Sequence, residues 1–329
     1  FGHRRMIQKV EERMSLLMEP LPTAEQEGWR HKIELDKRAT TSTVKIPRTV
    51  VEDAVMDAFK HADWITLWGL AGVGKTHLSW EVARRSIQDR NMQVVFNDVS
   101  NVRTVAELEE SLFQLLSLQN IFEEGLSAIS EAVTQRGDVL LVVDNAEELS
   151  PSAVRWMGEL CDRTDSLKLF VTSRQPMKEV LNTVREHCIQ LTPMSLFEGV
   201  ELLSHHCMLH MPNWKLTKSR RRLLCDLVLA VDSIPLAIDI LGGRLVDLSL
   251  RELHTRTMKQ GVGHHGSTLY QTIESSVLEL GTHEQELLYA LSVFPQFASL
   301  EMIECVIARI CFDCDCACLE CRRVRTRAD

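Results

Sequence analysis

The stretch Gly69-Leu70-Ala71-Gly72-Val73-Gly74-Lys75-Thr76 decides the fold, because it matches the pattern G-x-x-x-x-G-K-[ST] at every fixed position. An apolar, strand-like run at residues 64–68 precedes it, and a helix-like segment near residues 75–88 follows it. In that setting glycines let successive backbone N–H groups point at phosphate oxygens, and the helix adds the positive end of its dipole. The stretch therefore predicts a site for nucleotide phosphates between a strand and a helix.

The same pattern assigns a task to the polar residues of this loop. Lys75 is expected to reach the β- and γ-phosphates of ATP, and Thr76 to place its hydroxyl on Mg²⁺. The other residues predicted to contact ATP or ADP here are Gly69, Ala71, Gly72, Val73, Gly74 and His77. The guanine-reading pattern [NT]-K-x-D is absent from the sequence, which disfavours a GTPase.

A second element is the apolar run at residues 139–143, which ends in Asp144 and Asn145. An aspartate at this place could cap the next helix, but after a phosphate loop a carboxylate ligand for Mg²⁺ is favoured. Many ATPases carry an acid at the next position to activate the attacking water, so Asn145 predicts slow hydrolysis. Glu147 and Glu148 follow closely, and nothing in the sequence shows whether either faces the phosphates.

A third element is the run at residues 167–172, which is followed by Ser173 and Arg174. A guanidinium beside a γ-phosphate reports whether that phosphate is present, although an exposed arginine at a strand end is common. The candidate catalytic residues are therefore Lys75, Asp144 and Arg174, and the candidate Mg²⁺ ligands are Thr76 and Asp144.

The chain organisation predicts an α/β fold, in which a parallel sheet is covered by helices on both faces. Apolar runs alternate with amphipathic segments up to residue 192, and only helical patterns follow. The strand candidates are residues 65–68, 93–96, 139–143, 167–172 and 187–191. The predicted domains are an amphipathic helix and linker at 1–43, the nucleotide domain at 44–192, a helical domain at 193–262, a second helical block at 263–307, and a Cys- and Arg-rich tail at 308–329 that we do not expect to be a native fold or a metal site.

Composition excludes several classes of protein. The chain has 329 residues, 45% of them hydrophobic and 25% charged, which is typical of a globular protein of about two domains. A net charge of −9 argues against non-specific nucleic-acid binding by the whole chain.

Four cysteines are scattered through apolar stretches without a disulfide framework: Cys161, Cys188, Cys207 and Cys225. No apolar run approaches the roughly 18 residues that span a bilayer. We expect a cytoplasmic protein with reduced thiols and no membrane contact.

The order of these elements resembles the NB-ARC-like branch of the STAND signalling ATPases, and more narrowly the ATPase region of large bacterial-type regulators. The resemblance covers residues 44–307 and includes Leu140–Leu149, Phe170–Pro176, the segment 191–203 and Ser233-Ile234-Pro235-Leu236-Ala237. Ser233 stands where the family usually has glycine, and Ile46-Pro47-Arg48 only partly matches the family's entry motif.

This resemblance implies a P-loop NTPase domain, a helical domain and, at residues 263–307, part of a winged helix. It also implies that Pro235 packs on the adenine. The implied function is a switch in which ADP and Mg²⁺ hold the domains closed, exchange for ATP permits opening and self-association, and slow hydrolysis resets the protein. Sensor and effector partners cannot be identified from this sequence.

Three alternatives stay open. A motor or transport ATPase would hydrolyse ATP steadily, at about 1 s⁻¹ or faster. An ATP-binding transcriptional regulator would touch DNA through the winged helix, against the acidic balance of the chain. A decayed P-loop protein would bind no nucleotide at all.

Overall fold

The computed structural model describes residues 46–118, 125–177, 186–211, 213–259, 268–278 and 280–292. The predicted N-terminal helix and linker at 1–43 and the tail at 308–329 lie outside these residues. Residues 46–269 belong to one compact unit and residues 270–292 to another.

The described elements alternate at first and are then helical. The strands are β1 (Trp64–Trp68), β2 (Gln93–Asp98), β3 (Val139–Asp144), β4 (Leu167–Ser173) and β5 (Glu186–Gln190). The helices are α1 (Thr49–Ala58), α2 (Lys75–Arg90), α3 (Val105–Leu115), α4 (Gly125–Arg136), α5 (Pro151–Arg163), α6 (Leu196–His210), α7 (Lys218–Ala230), α8 (Pro235–Gly243), α9 (Leu250–Lys259), α10 (Thr268–Leu278) and α11 (Thr282–Leu291), with short 3₁₀ turns at Ala146–Glu148 and Arg244–Val246.

The five strands form one sheet in the order β2-β3-β4-β1-β5, and every neighbouring pair is parallel. All five predicted strands are confirmed, as is the α/β fold. Helix α1 was not predicted. This order places the carboxyl ends of β3, β4 and β1 side by side, where ligands bind in open parallel sheets.

The sheet is buried on both faces, as the continuous apolar strands predict. Every residue of β3 is buried. On one face Leu141 and Leu169 share a core with α3, α4 and α5. On the other face helix α2 contacts β2, β3 and β4, and the ring of Phe59, just after α1, lies 6.1 Å from that of Phe170 on β4.

Helices α6 to α9 form a second core, which we call the helical core. Two helix starts are fixed by side-chain caps: the Ser195 hydroxyl accepts from the Glu198 N–H, and the Thr217 hydroxyl accepts from the Arg220 N–H. Ile46 and Leu269, from the two ends of the larger unit, also pack in this core. The described elements within 193–211 and 213–259 are all helical, and the domain bounds 193–262 stay a prediction.

The described residues of the smaller unit are mostly helical, and no β-strand of a winged helix lies among them. Helix α11 lies within it, and α10 enters it at Tyr270. Residues 293–307 lie outside the described part of the chain, so the partial winged helix stays a prediction.

A strained turn leads into α8. Asp232 and Ser233 have φ of 52° and 54°, in the left-handed region. Backbone bonds fix the turn on both sides, because the Ser233 N–H donates to the Val228 carbonyl (3.0 Å) and the Ser233 carbonyl accepts from the Met194 N–H (3.0 Å).

Ser233→Gly should raise the free energy of unfolding by about 0.5–1 kcal/mol. The left-handed penalty of a Cβ is relieved, and the greater freedom of glycine in the unfolded chain offsets part of the gain. Chemical denaturation measures the change. Ser127→Gly, on the exposed side of helix α4, is the control and should lose about 0.5 kcal/mol; a loss at both positions would contradict the prediction.

Candidate functional site

Three strand ends meet around the loop at residues 69–76. The loop follows β1, Asp144 is the last residue of β3, and Arg174 follows β4. Backbone bonds join the neighbouring strand ends: the Gly69 N–H donates to the Ser173 carbonyl (3.2 Å), and the Leu191 N–H donates to the Trp68 carbonyl (2.8 Å). The topology thus brings together residues that lie about 100 positions apart in the sequence.

The loop has the backbone shape that an anion site requires. Gly72 and Gly74 have φ of 74° and 99°, in the region that side chains disfavour. Gly74 is the N-cap residue of α2, whose first turn receives no side-chain cap. A Cβ added at Gly74 would meet no atom within 4 Å. Open space therefore borders the uncapped N–H groups at the positive end of α2.

Lys75 is folded back onto this loop. Its ammonium Nζ donates to the carbonyl oxygens of Gly69 (2.9 Å) and Leu70 (3.0 Å), and the residue is 9% exposed. Burial lowers the pKa of Lys75, the negative charge of Glu147 opposes that shift, and Arg174 adds to it. A buried cation held by neutral carbonyls is suited to an anionic ligand, because phosphate oxygens are stronger acceptors for an ammonium.

Asp144 is a buried carboxylate held by two hydroxyl groups. Its Oδ2 accepts from the Thr76 hydroxyl (2.8 Å), and its Oδ1 accepts from the Thr172 hydroxyl. The residue is 1% exposed, and burial raises its pKa although both hydroxyl bonds act in the opposite direction. Hydroxyl and carboxylate oxygens are the hard ligands that Mg²⁺ prefers. Thr76 and Asp144 therefore fit a magnesium site.

Arg174 is paired with an acid from the neighbouring strand end. Its Nε donates to Oε1 of Glu147 at 2.8 Å. The Arg174 side chain is 65% exposed and that of Glu147 only 14% exposed. The arginine thus lies at the edge of the site with its charge matched by a shielded carboxylate.

The helical core contacts the phosphate loop directly. The Leu236 N–H, in the first turn of α8, donates to the Gly72 carbonyl at 3.2 Å. A Cβ at Gly72 would lie 2.9 Å from Leu269 and 3.0 Å from Leu236. Pro235 precedes Leu236 as the first residue of α8, so the predicted adenine contact lies beside the loop.

The other residues that were predicted to contact nucleotide differ in their exposure to solvent. Ala71 is exposed, Val73 is buried, and His77 is partly exposed in the first turn of α2.

Sequence reasoning missed two residues of this site. Thr172 donates to Asp144 and its Oγ1 accepts from the Asn145 N–H (3.0 Å), while Asp98 accepts from the Asn145 side-chain amide (3.0 Å). Asp98 is the last residue of β2 and Thr172 is the residue before the end of β4, so a polar residue near a strand end was the one available signal.

Across the part of the chain that is described, no helix is long and apolar enough to cross a membrane.

Comparison with known proteins supports a P-loop NTPase fold. Residues 57–181 match the family model described as an AAA domain. Two mycobacterial proteins, provisionally named HTH-type transcriptional regulators Mb0914c (Mycobacterium bovis) and Rv0890c (Mycobacterium tuberculosis), are each 25% identical over 192 residues. That match covers 57% of this chain and 21% of each relative, so this chain spans about a fifth of their length.

Solved structures show the same fold. The STAND protein PH0952 of Pyrococcus horikoshii, which has a tetratricopeptide repeat sensor, aligns with a TM-score of 0.54 and 15% identity over 86% of this chain and 39% of that chain. The Walker-type ATPase PABY2304 of Pyrococcus abyssi aligns with a TM-score of 0.51 and 13% identity over 86% of this chain and 88% of that one. The described residues from β1 to β5 thus have a P-loop NTPase fold like that of these two proteins.

Asp144→Asn should raise the melting temperature of the nucleotide- and magnesium-free protein at pH 7–8. The pKa of Asp144 is raised in the folded state, so the charged carboxylate costs stability above its unfolded pKa, and a neutral amide of the same shape removes that cost. The advantage should shrink as the pH falls below the raised folded-state pKa of Asp144, because the carboxyl of the folded wild-type protein is then neutral. A mutant less stable than wild type at pH 8 would contradict this account.

Gly72→Ala and Gly74→Ala should differ in their cost. Both add a Cβ at positive φ, which costs about 1 kcal/mol, but only the Cβ at Gly72 also collides with Leu236 and Leu269. We expect Gly72→Ala to lose about 2–3 kcal/mol in urea denaturation of the nucleotide-free protein and Gly74→Ala about 1 kcal/mol. Equal losses would show that the loop and the helical core are not tightly packed.

Proposed function

We propose that this chain is an ATP- and ADP-binding switch, in which the nucleotide at the loop 69–76 controls how the helical core is held. The observation that carries the proposal is the bond from the Leu236 N–H to the Gly72 carbonyl. It joins the phosphate loop to the first turn of α8 without an intervening residue.

The nucleotide part of the proposal rests on the residues gathered at the strand ends. Lys75 and the N-terminal end of α2 would bind the phosphates, and Pro235 would pack on the adenine. Thr76 and Asp144 would hold Mg²⁺, which supplies positive charge between the β- and γ-phosphate oxygens. Arg174 would meet the γ-phosphate, because it lies at the end of β4 beside Ser173, which is bonded to the loop.

The switch part rests on the close packing at Gly72. A rearrangement of the loop on nucleotide exchange would shift the Gly72 carbonyl against the Leu236 N–H and the Leu269 side chain. Interfaces packed this tightly respond by changing between discrete arrangements rather than by bending. The helical core would therefore sense which nucleotide is bound.

Slow hydrolysis follows from the residue after Asp144. Asn145 has no acidic group, and its side-chain amide donates to Asp98 at 3.0 Å. An amide is not a general base, so hydrolysis would reset the switch rather than sustain turnover. A steady-turnover ATPase is the competing possibility, and its rate would be about 1 s⁻¹ or faster.

The proposed switch would act through self-association and through partner proteins. We propose a cytoplasmic protein that self-associates when ATP is bound, with separate sensor and effector partners. A role in a transcriptional regulator is the second candidate, favoured by the names of the mycobacterial relatives; direct DNA contact would then involve the predicted winged helix at 263–307.

The purified chain should carry ADP at close to one molecule per chain, identified by chromatography after denaturation. Lys75→Ala should reduce the bound nucleotide at least tenfold, because a charge-assisted bond to phosphate contributes about 1.5–3 kcal/mol. Lys60→Ala, an exposed lysine near the end of α1, is the matched control and should retain the nucleotide.

Two results would contradict the switch. A wild-type chain that neither carries nor binds ADP or ATP would refute nucleotide binding altogether. Steady hydrolysis at about 1 s⁻¹ or faster would instead assign the chain to the turnover ATPases.

A further inference from the structure

Glu147 pairs with one of the two predicted phosphate-binding cations, Arg174, and its charge acts on the other, Lys75. It sits in the 3₁₀ turn Ala146–Glu148, which follows β3 directly through Asn145, a residue with φ of 62°. This left-handed turn redirects the chain at the strand end. Glu147 is consequently shielded, whereas the next residue, Glu148, is exposed.

The two carboxylate oxygens of Glu147 are unequally bonded. Oε1 accepts from Nε of Arg174 at 2.8 Å. Oε2 is buried and has no hydrogen-bond partner among the described residues. Because buried carboxylate oxygens are normally satisfied, this arrangement is costly and calls for a functional explanation.

Glu147 also acts on Lys75. Burial lowers the pKa of Lys75. Among the charged groups that act on this pKa, Glu147 has the largest influence, ahead of Arg174 and Asp144, and it raises the pKa against the effect of burial. One shielded carboxylate thus favours the charge on the loop lysine and holds the arginine of β4. These are the two cations to which a γ-phosphate would bind under the proposed function.

We propose that Glu147 determines nucleotide specificity, by holding Arg174 in the place of a γ-phosphate and so favouring ADP over ATP. The inference rests on the proposed function, because it concerns the same nucleotide site. The Glu147 carboxylate would compete with the γ-phosphate for Arg174.

The competition acts on ATP and not on ADP for an electrostatic reason. Both nucleotides bring the β-phosphate to the loop, so any effect of Glu147 on that phosphate is common to both. Only ATP adds charge next to the Glu147 carboxylate and needs Arg174 to leave it. Specificity is the difference between two affinities, so a group that repels one ligand alone sets it.

Competition binding tests this proposal on the whole chain. A fluorescent ADP analogue is displaced by ADP or by the non-hydrolysed ATP analogue AMP-PNP, each with Mg²⁺. Glu147→Gln keeps the shape and removes the charge. It should raise the affinity for AMP-PNP relative to ADP by about tenfold, because like charges brought together at a binding site are strongly disfavoured.

The matched control is Glu148→Gln, which makes the same charge change on an exposed neighbour. Its ratio of affinities should stay within about twofold of the wild-type ratio, since exposed charges are screened by water and salt. Glu147→Ala is a second variant, which removes the carboxylate without placing an amide group at its buried position, and its ratio of affinities should shift in the same direction.

The outcomes separate this proposal from others. An unchanged ratio in Glu147→Gln and Glu147→Ala, with single-turnover hydrolysis abolished, would overturn it and make Glu147 a base for the attacking water. Weaker AMP-PNP binding in both variants would also overturn it. If the wild-type chain binds neither nucleotide, the proposed function fails as well; if it binds both and the ratio does not respond, only the role of Glu147 fails.

Discussion

The site depends on one buried carboxylate that is held by hydroxyl groups from two elements. Asp144 ends β3, Thr76 belongs to the first turn of α2, and Thr172 belongs to β4, so their bonds tie a strand, its neighbour and the helix after the phosphate loop. A charge buried to this degree is tolerated only when hydrogen bonds compensate it. The strand ends are therefore fixed relative to the loop, and Lys75 and Arg174 take their places around that fixed point.

Much of this architecture was predictable because its signals are local. The glycine loop between strand and helix, the apolar run before Asp144 and the polar end of β4 are each contiguous in the sequence, and the sheet has all five predicted strands. Parallel strands buried on both faces leave a continuous apolar pattern that few other structures share. Helix α1 was missed although Val51, Val55 and Ala58 recur in it at helical spacing.

The contacts that give the site its character were not predictable, because they join distant residues. Arg174 and Glu147 form a hydrogen bond only because β4 lies beside β3. The pattern of residues in either segment does not indicate that the two side chains pair. The bond from Leu236 to Gly72 likewise depends on how the helical core packs against the loop. The sequence identified Pro235 through a resemblance, but the structure shows that its neighbour makes the backbone contact. Residue types indicate which chemistry is available, whereas packing decides which groups act on each other.

The position of Ile46 and Leu269 has a mechanical consequence. Both pack in the helical core, although they lie near opposite ends of the larger unit and most of the chain between them forms the sheet and its covering helices. The chain therefore enters and leaves this unit through the same packed group of helices. A rotation of those helices would move Ile46 and Leu269 together, because both pack in the helical core. The two ends of the larger unit are thus held in the helical core rather than in the core of the sheet.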